Sequence, residues 1–410
     1  VGNGSSTGPE INLGWEPQWV LIKNTETTVN WRMFDSMRGI SDISSGGDAD
    51  DAILAPSSSN NEASFGANAM ALTPRGFKLQ NGGDAYNESG KNFIYIAVRR
   101  PDGYCGKPYG AGEGTSVFAM DTGAGGSTIP QYDSGFPVDF ALMKKPASAQ
   151  NWFASARLIQ GKEIKVNGSD AQSAAFHTVF DSNDGWSTNA PTSKQSWMWK
   201  RHAGFDVVTY VGNQTSGHHI AHSCGQTPEM IWTKNRDQTQ SWHVGHKDLN
   251  GGTNPWDYQL VLSDSPNEQE NVNTGFWEAP TATHFTVGSD ARVNRNNDDY
   301  LAILFSSVNG ISKVGSYTGS SSALTITTGF QPRFIIIKNA SSNSYDSSTD
   351  WFVFDTTRGW ASGNNDKLLR LNEDDAQTTE DWTDPTSTGF TINADSGNDL
   401  NNNGDRYIYY

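Results

Sequence analysis

The stretch Gly329-Phe-Gln-Pro-Arg-Phe-Ile-Ile-Ile-Lys-Asn339 has a near copy at Gly14-Trp-Glu-Pro-Gln-Trp-Val-Leu-Ile-Lys-Asn24, and the fold follows from reading the two as one recurring element. Looser copies are Gln226-Thr-Pro-Glu-Met-Ile-Trp-Thr-Lys-Asn235 and Gly135-Phe-Pro-Val-Asp-Phe-Ala-Leu-Met-Lys-Lys145. Each places a Pro before an apolar-rich run that ends in Lys, the pattern of a strand entered from a turn. The lysines are Lys23, Lys144, Lys234 and Lys338, spaced by 121, 90 and 104 residues. Trp31, Trp152 and Trp242 each follow their lysine by eight residues; Trp351 follows Lys338 by thirteen, which fits a five-residue insertion in 341–350.

Working outward, Val1-Gly2-Asn3-Gly4, Val211-Gly212-Asn213-Gln214 and Val314-Gly315-Ser316-Tyr317 precede their anchors at similar distances. Each unit closes on a strand-like run, Phe93-Ile-Tyr-Ile-Ala-Val98, Trp197-Met-Trp199, Tyr300-Leu-Ala-Ile-Leu-Phe305 and Tyr407-Ile-Tyr-Tyr410. The last run stops where the others continue, so the fourth unit reads as cut just short. Val1 is not an initiator, and the chain reads as part of something longer.

Between these runs lie Gly, Asn, Asp and Ser clusters such as 81–84, 294–299 and 401–404, and no stretch has sustained helical periodicity with caps. A repeat of about 100 residues is too long for a solenoid rung and suits a sandwich with its own core. The expected fold is all-β, four tandem antiparallel β-sandwiches arranged as beads on a string. The units are 1–113, a divergent 114–209, 210–313 and 314–410, the fourth truncated at its last strand.

Composition narrows the function. With 29 Lys+Arg against 45 Asp+Glu the net charge is −16, which excludes a phosphate-backbone footprint as the main activity. Fourteen Trp, 13 Tyr and 19 Phe supply ample surface to bury, so disorder is not expected. No run approaches 18 apolar residues, so no membrane insertion is expected. Cys105 and Cys224 are too few and too far apart for a disulfide framework or a four-ligand zinc site.

Candidate site residues fall into two groups. The element Phe-Asp-x-x-Arg-Gly occurs at 34–39 and 354–359; Asp35 with Arg38, and Asp355 with Arg358, can bind a polar ligand or clamp a strand-to-loop turn. The third unit has His246 and Leu249 at these positions and the second Ala156 and Ile159, which favours the clamp. The recurring Trp31, Trp152, Trp242 and Trp351 read as packing. Trp186, Trp256, Trp277, Trp360 and Trp382 fall in polar loops and are unmatched between units, which makes them candidates for stacking on sugars or for packing between units; for Trp256, Trp277, Trp360 and Trp382 a subunit interface is the further reading, and the favoured one for most of them.

The cluster His218-His219-Ile-Ala-His222-Ser-Cys224 invites a metal reading, but His218 and His222 on one strand stand roughly 13 Å apart. No cofactor or metal is expected, and Ca²⁺ at the Asp/Asn-rich loops 294–299 and 395–405 is an alternative on composition alone. Paired carboxylates suited to glycoside hydrolysis and His-Glu-x-x-His do not stand out, so the expectation is a non-enzyme.

The run from Tyr300 through Gly319, with 329–339, Phe354-Asp-x-x-Arg-Gly359 and His222-Ser-Cys-Gly-Gln-Thr-Pro-Glu-Met-Ile-Trp-Thr-Lys-Asn235, resembles repeat modules of tail-fibre and related virion proteins of marine tailed bacteriophages. The resemblance covers nearly the whole chain and is weak in the second unit, where Lys145 stands for Asn and the Asp/Arg pair is missing. It implies lectin-like, jelly-roll domains in an extracellular virion appendage. It also implies a homo-oligomer, a trimer by preference, that contacts other virion proteins and host surface glycans. A cellular adhesin or surface-layer protein, and the non-catalytic part of a carbohydrate-active enzyme, are the alternatives.

Overall fold

The computed structural model describes residues 1–40, 51–65, 69–99, 114–125, 129–175, 178–188, 191–271, 276–341, 350–363, 366–394 and 399–410. Cys105, most of the insertion at 341–350, the start of the loop 395–405 and the junction near residue 113 lie outside them. Among the described residues the elements are antiparallel strands, joined by a few 3-10 turns and one helical turn at Ala291–Asn294. No helix among them is long and apolar enough to cross a membrane.

The third unit displays the plan most fully. Six strands run in the order Phe205–Val211, Asp299–Phe305, Met230–Asn235, His243–His246, Tyr258–Val261 and Gln269–Glu270; a second sheet orders His218–Ala221, His284–Val287 and Trp277–Glu278. Successive side chains of a strand point to opposite faces. Ile231, Ala302 and Leu304 therefore meet Phe285 and Val287 of the second sheet in one core, while Met230, Trp232, Ile303 and Phe305 face the other way. Both faces are covered: Met230–Asn235 and Asp299–Phe305 are buried at every position. Such two-sided burial requires a continuous apolar run, as Tyr300-Leu-Ala-Ile-Leu-Phe305 is.

The fourth unit repeats the order, with Gly315–Thr318, Arg406–Tyr409, Phe334–Asn339, Trp351–Asp355, Asp366–Arg370 and Thr378–Glu380 facing Leu324–Thr327, Gly389–Ile392 and Thr383–Thr386. The second unit keeps the six-stranded sheet, from Phe118–Thr122 at one edge to Ser173–Ala174 at the other, but its second layer is the ladder Tyr132–Asp133 with Gly185–Trp186. In the first unit, Arg32–Asp35, Trp19–Asn24 and Phe93–Val98 form a three-stranded sheet against Glu10–Asn12, Gly76–Leu79 and Met70–Thr73, beside a ladder of Asp51–Ile53 and Ala63–Phe65. The start expected at residue 210 falls inside the strand Phe205–Val211.

A glycine fixes where each closing loop crosses the start of its unit. The amides of Gly2, Gly123, Gly212 and Gly319 donate to the carbonyls of Lys91, Lys194, Asp298 and Asp405. A Cβ on these glycines would lie 2.1–2.4 Å from a backbone oxygen, so only glycine fits. Gly319, not Gly315, is thus the counterpart of Gly212, and Gly123 gives the divergent second unit the same landmark. Beside them Asn87, Asn294 and Asn401 each accept from the next amide, of Asn3, Asn213 and Ser320, and donate to two carbonyls of neighbouring loops. The sandwiches also touch one another, because one hydrophobic cluster runs through all four units.

Candidate functional site

The recurring Lys and Trp lie where three units meet. Lys144, Lys234 and Lys338 each end a strand whose alternation turns them away from the sandwich core, toward the neighbouring unit. Trp152 Nε1 of the second unit donates to Arg370 O of the fourth at 2.8 Å, Trp351 Nε1 of the fourth to Val261 O of the third at 2.9 Å, and Trp242 Nε1 of the third to Lys165 O of the second at 2.9 Å. The lysines take the same steps: Lys144 Nζ reaches Asp374 O at 2.9 Å, Lys338 Nζ reaches Ser265 O at 3.0 Å and Lys234 Nζ reaches Ser169 O at 3.3 Å. Each lysine acceptor lies four residues beyond the Trp acceptor, so three contacts of one kind close a ring of units two, four and three. Aromatic rings fill its middle, with Phe305 against Tyr410 at 4.7 Å and Trp199 against Phe334 at 5.7 Å between centroids.

Burial at this junction pushes Lys338 down to about 7, and Lys144 and Lys234 down to about 8. Carbonyl oxygens on both sides satisfy the ammonium protons. Lys234, for example, also donates to Asn235 O and Gln240 O. The expectation that the recurring tryptophans are packing residues gains a specific form here: Trp152, Trp242 and Trp351 are at most 1% exposed and join units. Trp31 differs, being only half-buried, and Lys23 bonds to Asn24 O and Thr27 O of its own unit.

The Asp/Arg pairs are turn clamps. Asp35 Oδ1 accepts the amides of Met37 and Arg38, and its Oδ2 accepts Arg38 Nε at 2.7 Å. Asp355 holds Arg358 likewise, at 2.6 Å, and is wholly buried. It also accepts Gln195 Nε2 at 3.2 Å and Trp197 Nε1 at 3.0 Å from the second unit, so this clamp lies at a unit boundary.

The loop tryptophans separate by environment. Trp186, Trp277 and Trp360 are 1–2% exposed and lie in the sandwich cores of the second, third and fourth units, so their faces offer neither a sugar platform nor a subunit contact. The polar loops around them hid short second-sheet strands in two cases, and Trp360 reaches Thr383 O of that sheet through Nε1. Trp382 is half-buried, edge-on to Phe352 at 5.4 Å. Trp256 is half-buried beside Gly245, where a Cβ would come within 2.9 Å of its ring.

Trp256 also forms one wall of an open groove of about 460 Å³. Glu229, Lys247, Gln226, Ser307 and Pro280 line the remainder. Lys247 pairs with Asp248 at 2.9 Å, and Glu229 accepts the Ser307 amide at 2.7 Å. An aromatic face beside hydroxyl, amide and charged groups suits a ligand with one apolar face and many hydroxyls.

His222 and Cys224 come together with Asp206, with ligand atoms within 4.8 Å of one another, a grouping that spacing within one strand does not reveal. Asp206 Oδ1 already takes Arg201 Nε at 2.6 Å and Oδ2 the Ser223 amide at 2.7 Å, while His222 Nε2 bonds to Thr281 O at 3.0 Å. The Arg201 guanidinium already balances the Asp206 carboxylate, and the carboxylate and imidazole are engaged by the fold. In the 294–299 loop, Asp298 accepts Asn235 Nδ2 at 2.8 Å and Asn294 staples two loops, so these oxygens serve the fold.

Comparison with known families gives one match, a domain of unknown function, DUF7483, over residues 1–100 and 186–410. The chain belongs to that family. The unmatched part, 101–185, covers most of the divergent second unit. No curated protein and no solved structure matches the chain.

Proposed function

We propose that this chain is a non-enzymatic structural and adhesive protein of an extracellular appendage, in the manner of the tail fibres of marine tailed bacteriophages that its repeats resemble. The observation that carries the reading is the use of the repeat's signature residues. Lys144, Lys234, Lys338 and their tryptophans join unit to unit, and the buried Asp355–Arg358 pair braces a unit boundary. A chain so braced presents its surface loops on a stiff body, which favours weak contacts repeated along an array. The Trp256 groove is the place for such a contact, with a sugar ring on the indole and its hydroxyls on Glu229, Lys247 and Ser307.

Labelled chain on an array of bacterial surface glycans is expected to bind a subset of them. Trp256→Ala should remove that binding while the far-UV circular dichroism stays unchanged. Binding untouched by Trp256→Ala refutes the groove. Steady release of reducing ends from a bound glycan, abolished by one carboxylate substitution, refutes the non-enzymatic reading.

A further inference from the structure

The first unit carries the same face that builds the ring of the other three, and among the described residues nothing covers it. Its strand register makes the correspondence position by position. Lys23, Leu21 and Trp19 stand opposite Ile94, Ile96 and Val98, as Lys234, Trp232 and Met230 stand opposite Leu301, Ile303 and Phe305. In the third unit these six are at most 2% exposed. In the first, Ile94 is 52%, Ile96 55% and Val98 48% exposed. Trp19, Leu21, Lys23 and Trp31 are only partly buried. The end of the sheet abuts the second unit, where Gln160 Nε2 donates to Ser36 O at 3.1 Å, and Ile94, Ile96 and Val98 on the broad face stay exposed.

We propose that this face is a self-association surface at which three copies of the chain close into a second ring through their first units. The stoichiometry follows from the contact itself. The step from Trp152 to the fourth unit, Trp351 to the third and Trp242 to the second is head-to-tail, and its rotation closes after three. A face with the same register and the same Lys and Trp, partnered by identical faces, takes the same rotation. Trp31 and Lys23 of each copy then reach the edge of the next copy's sheet. Ile96 and Val98 go to the middle, where Tyr410, Phe305 and Trp199 lie in the existing ring. Of the strand residues that share this face, Trp19, Leu21, Met33, Ile94, Ile96 and Val98 are apolar and Lys23 and Asp35 are charged, Asp35 being paired with Arg38, which also reaches Glu62, so burial of the apolar positions is favourable. The net charge of −16 per chain opposes assembly, and added salt relieves it.

Sedimentation velocity across micromolar concentrations tests this on the whole chain. The expected result is a monomer–trimer equilibrium that tightens with salt. Ile96→Asp and Trp31→Ala are each expected to raise the half-dissociation concentration by about 30-fold or more, the scale of interface hot spots. Ile96 is exposed in the single chain, so its variant keeps the monomer's circular dichroism and melting. A chain that stays monomeric, a stoichiometry other than three, or a trimer that survives both substitutions overturns the proposal. Glycan binding by a monomer would sink this inference and leave the adhesive reading standing.

Discussion

Replacing Trp152, Trp242 or Trp351 by Phe keeps a ring at the junction and deletes one donor. The lost bonds are 2.8–2.9 Å long and part-buried, and each leaves a carbonyl of the neighbouring unit without that partner. A hydrogen bond of this kind contributes about 0.5–1.5 kcal/mol, so each variant should lose about that much. Trp152 should lie at the upper end because its indole also packs on Trp197 at 4.9 Å between centroids. Trp31→Phe is the internal control. It occupies the same place in the repeat, but among the described residues it makes no counterpart bond, so its loss should stay below about 0.5 kcal/mol. Urea unfolding followed by far-UV circular dichroism, in the Ile96→Asp background so that every variant is compared as a monomer, measures the four values. If Trp31→Phe costs as much as the others, or the three ring variants cost as little as Trp31→Phe, the cross-unit bonds do not hold the ring.

Acid should weaken the fold through buried imidazoles. Burial holds His202 and His246 down to about 3 and His243 to about 4. As pH falls below the ordinary histidine value near 6.5 the unfolded chain takes up protons that the native state refuses, so stability drops. His246→Leu should remove up to about 1.4 kcal/mol per pH unit of that slope, read from urea midpoints between pH 6.5 and 4. Asp366, raised to about 7 by burial, works in the opposite direction and offsets part of it. On the alkaline side Lys338 has given up its proton above about 7 while the unfolded lysine keeps it to 10.5, so stability rises with pH. Lys338→Met should flatten that rise, and an unchanged slope would contradict the neutral lysine. Gly212→Ala, whose Cβ would lie 2.1 Å from Arg295 O, should cost more than about 2 kcal/mol by thermal melting. Gly14→Ala, with open space around it but a φ of +78°, should cost only about 1 kcal/mol. Equal losses at the two sites would show that crowding at Gly212 is not the constraint.

The strands and the all-β fold were legible because their signals are local. Pro before an apolar run, Lys at its end and Trp eight residues later are spacings within one element and its hairpin. The partners of those residues were not legible, because Trp31 and Trp152 stand in the same local pattern and only three-dimensional placement decides which one meets Arg370 or Asp374. The register of the starting glycine failed for a related reason. Val314-Gly315-Ser316-Tyr317-Thr318-Gly319 offers two glycines four residues apart, and the choice is made by backbone crowding at Asn402. Trp277 and Trp360 were misplaced because their neighbours are polar, whereas burial is set by the sheet that each packs under. Asn294 and Asn401 belong to clusters that read as turns and Asn87 carries no local signal, and only the carbonyls the three gather from neighbouring loops set them apart.

One signal in the closing strands goes further than the fold. A strand covered on one side should alternate, and a strand covered on both should be apolar throughout. Tyr300-Leu-Ala-Ile-Leu-Phe305 is apolar throughout and is buried on both faces. Phe93-Ile-Tyr-Ile-Ala-Val98 is apolar throughout as well, yet within the chain Ile94, Ile96 and Val98 face solvent. Soluble sheets normally break such a run with charge on the open side, and the edge position of this strand among the described residues makes the omission a liability for uncontrolled pairing. The composition is that of a covered face, which is why a second ring of first units accounts for this strand and an isolated monomer does not.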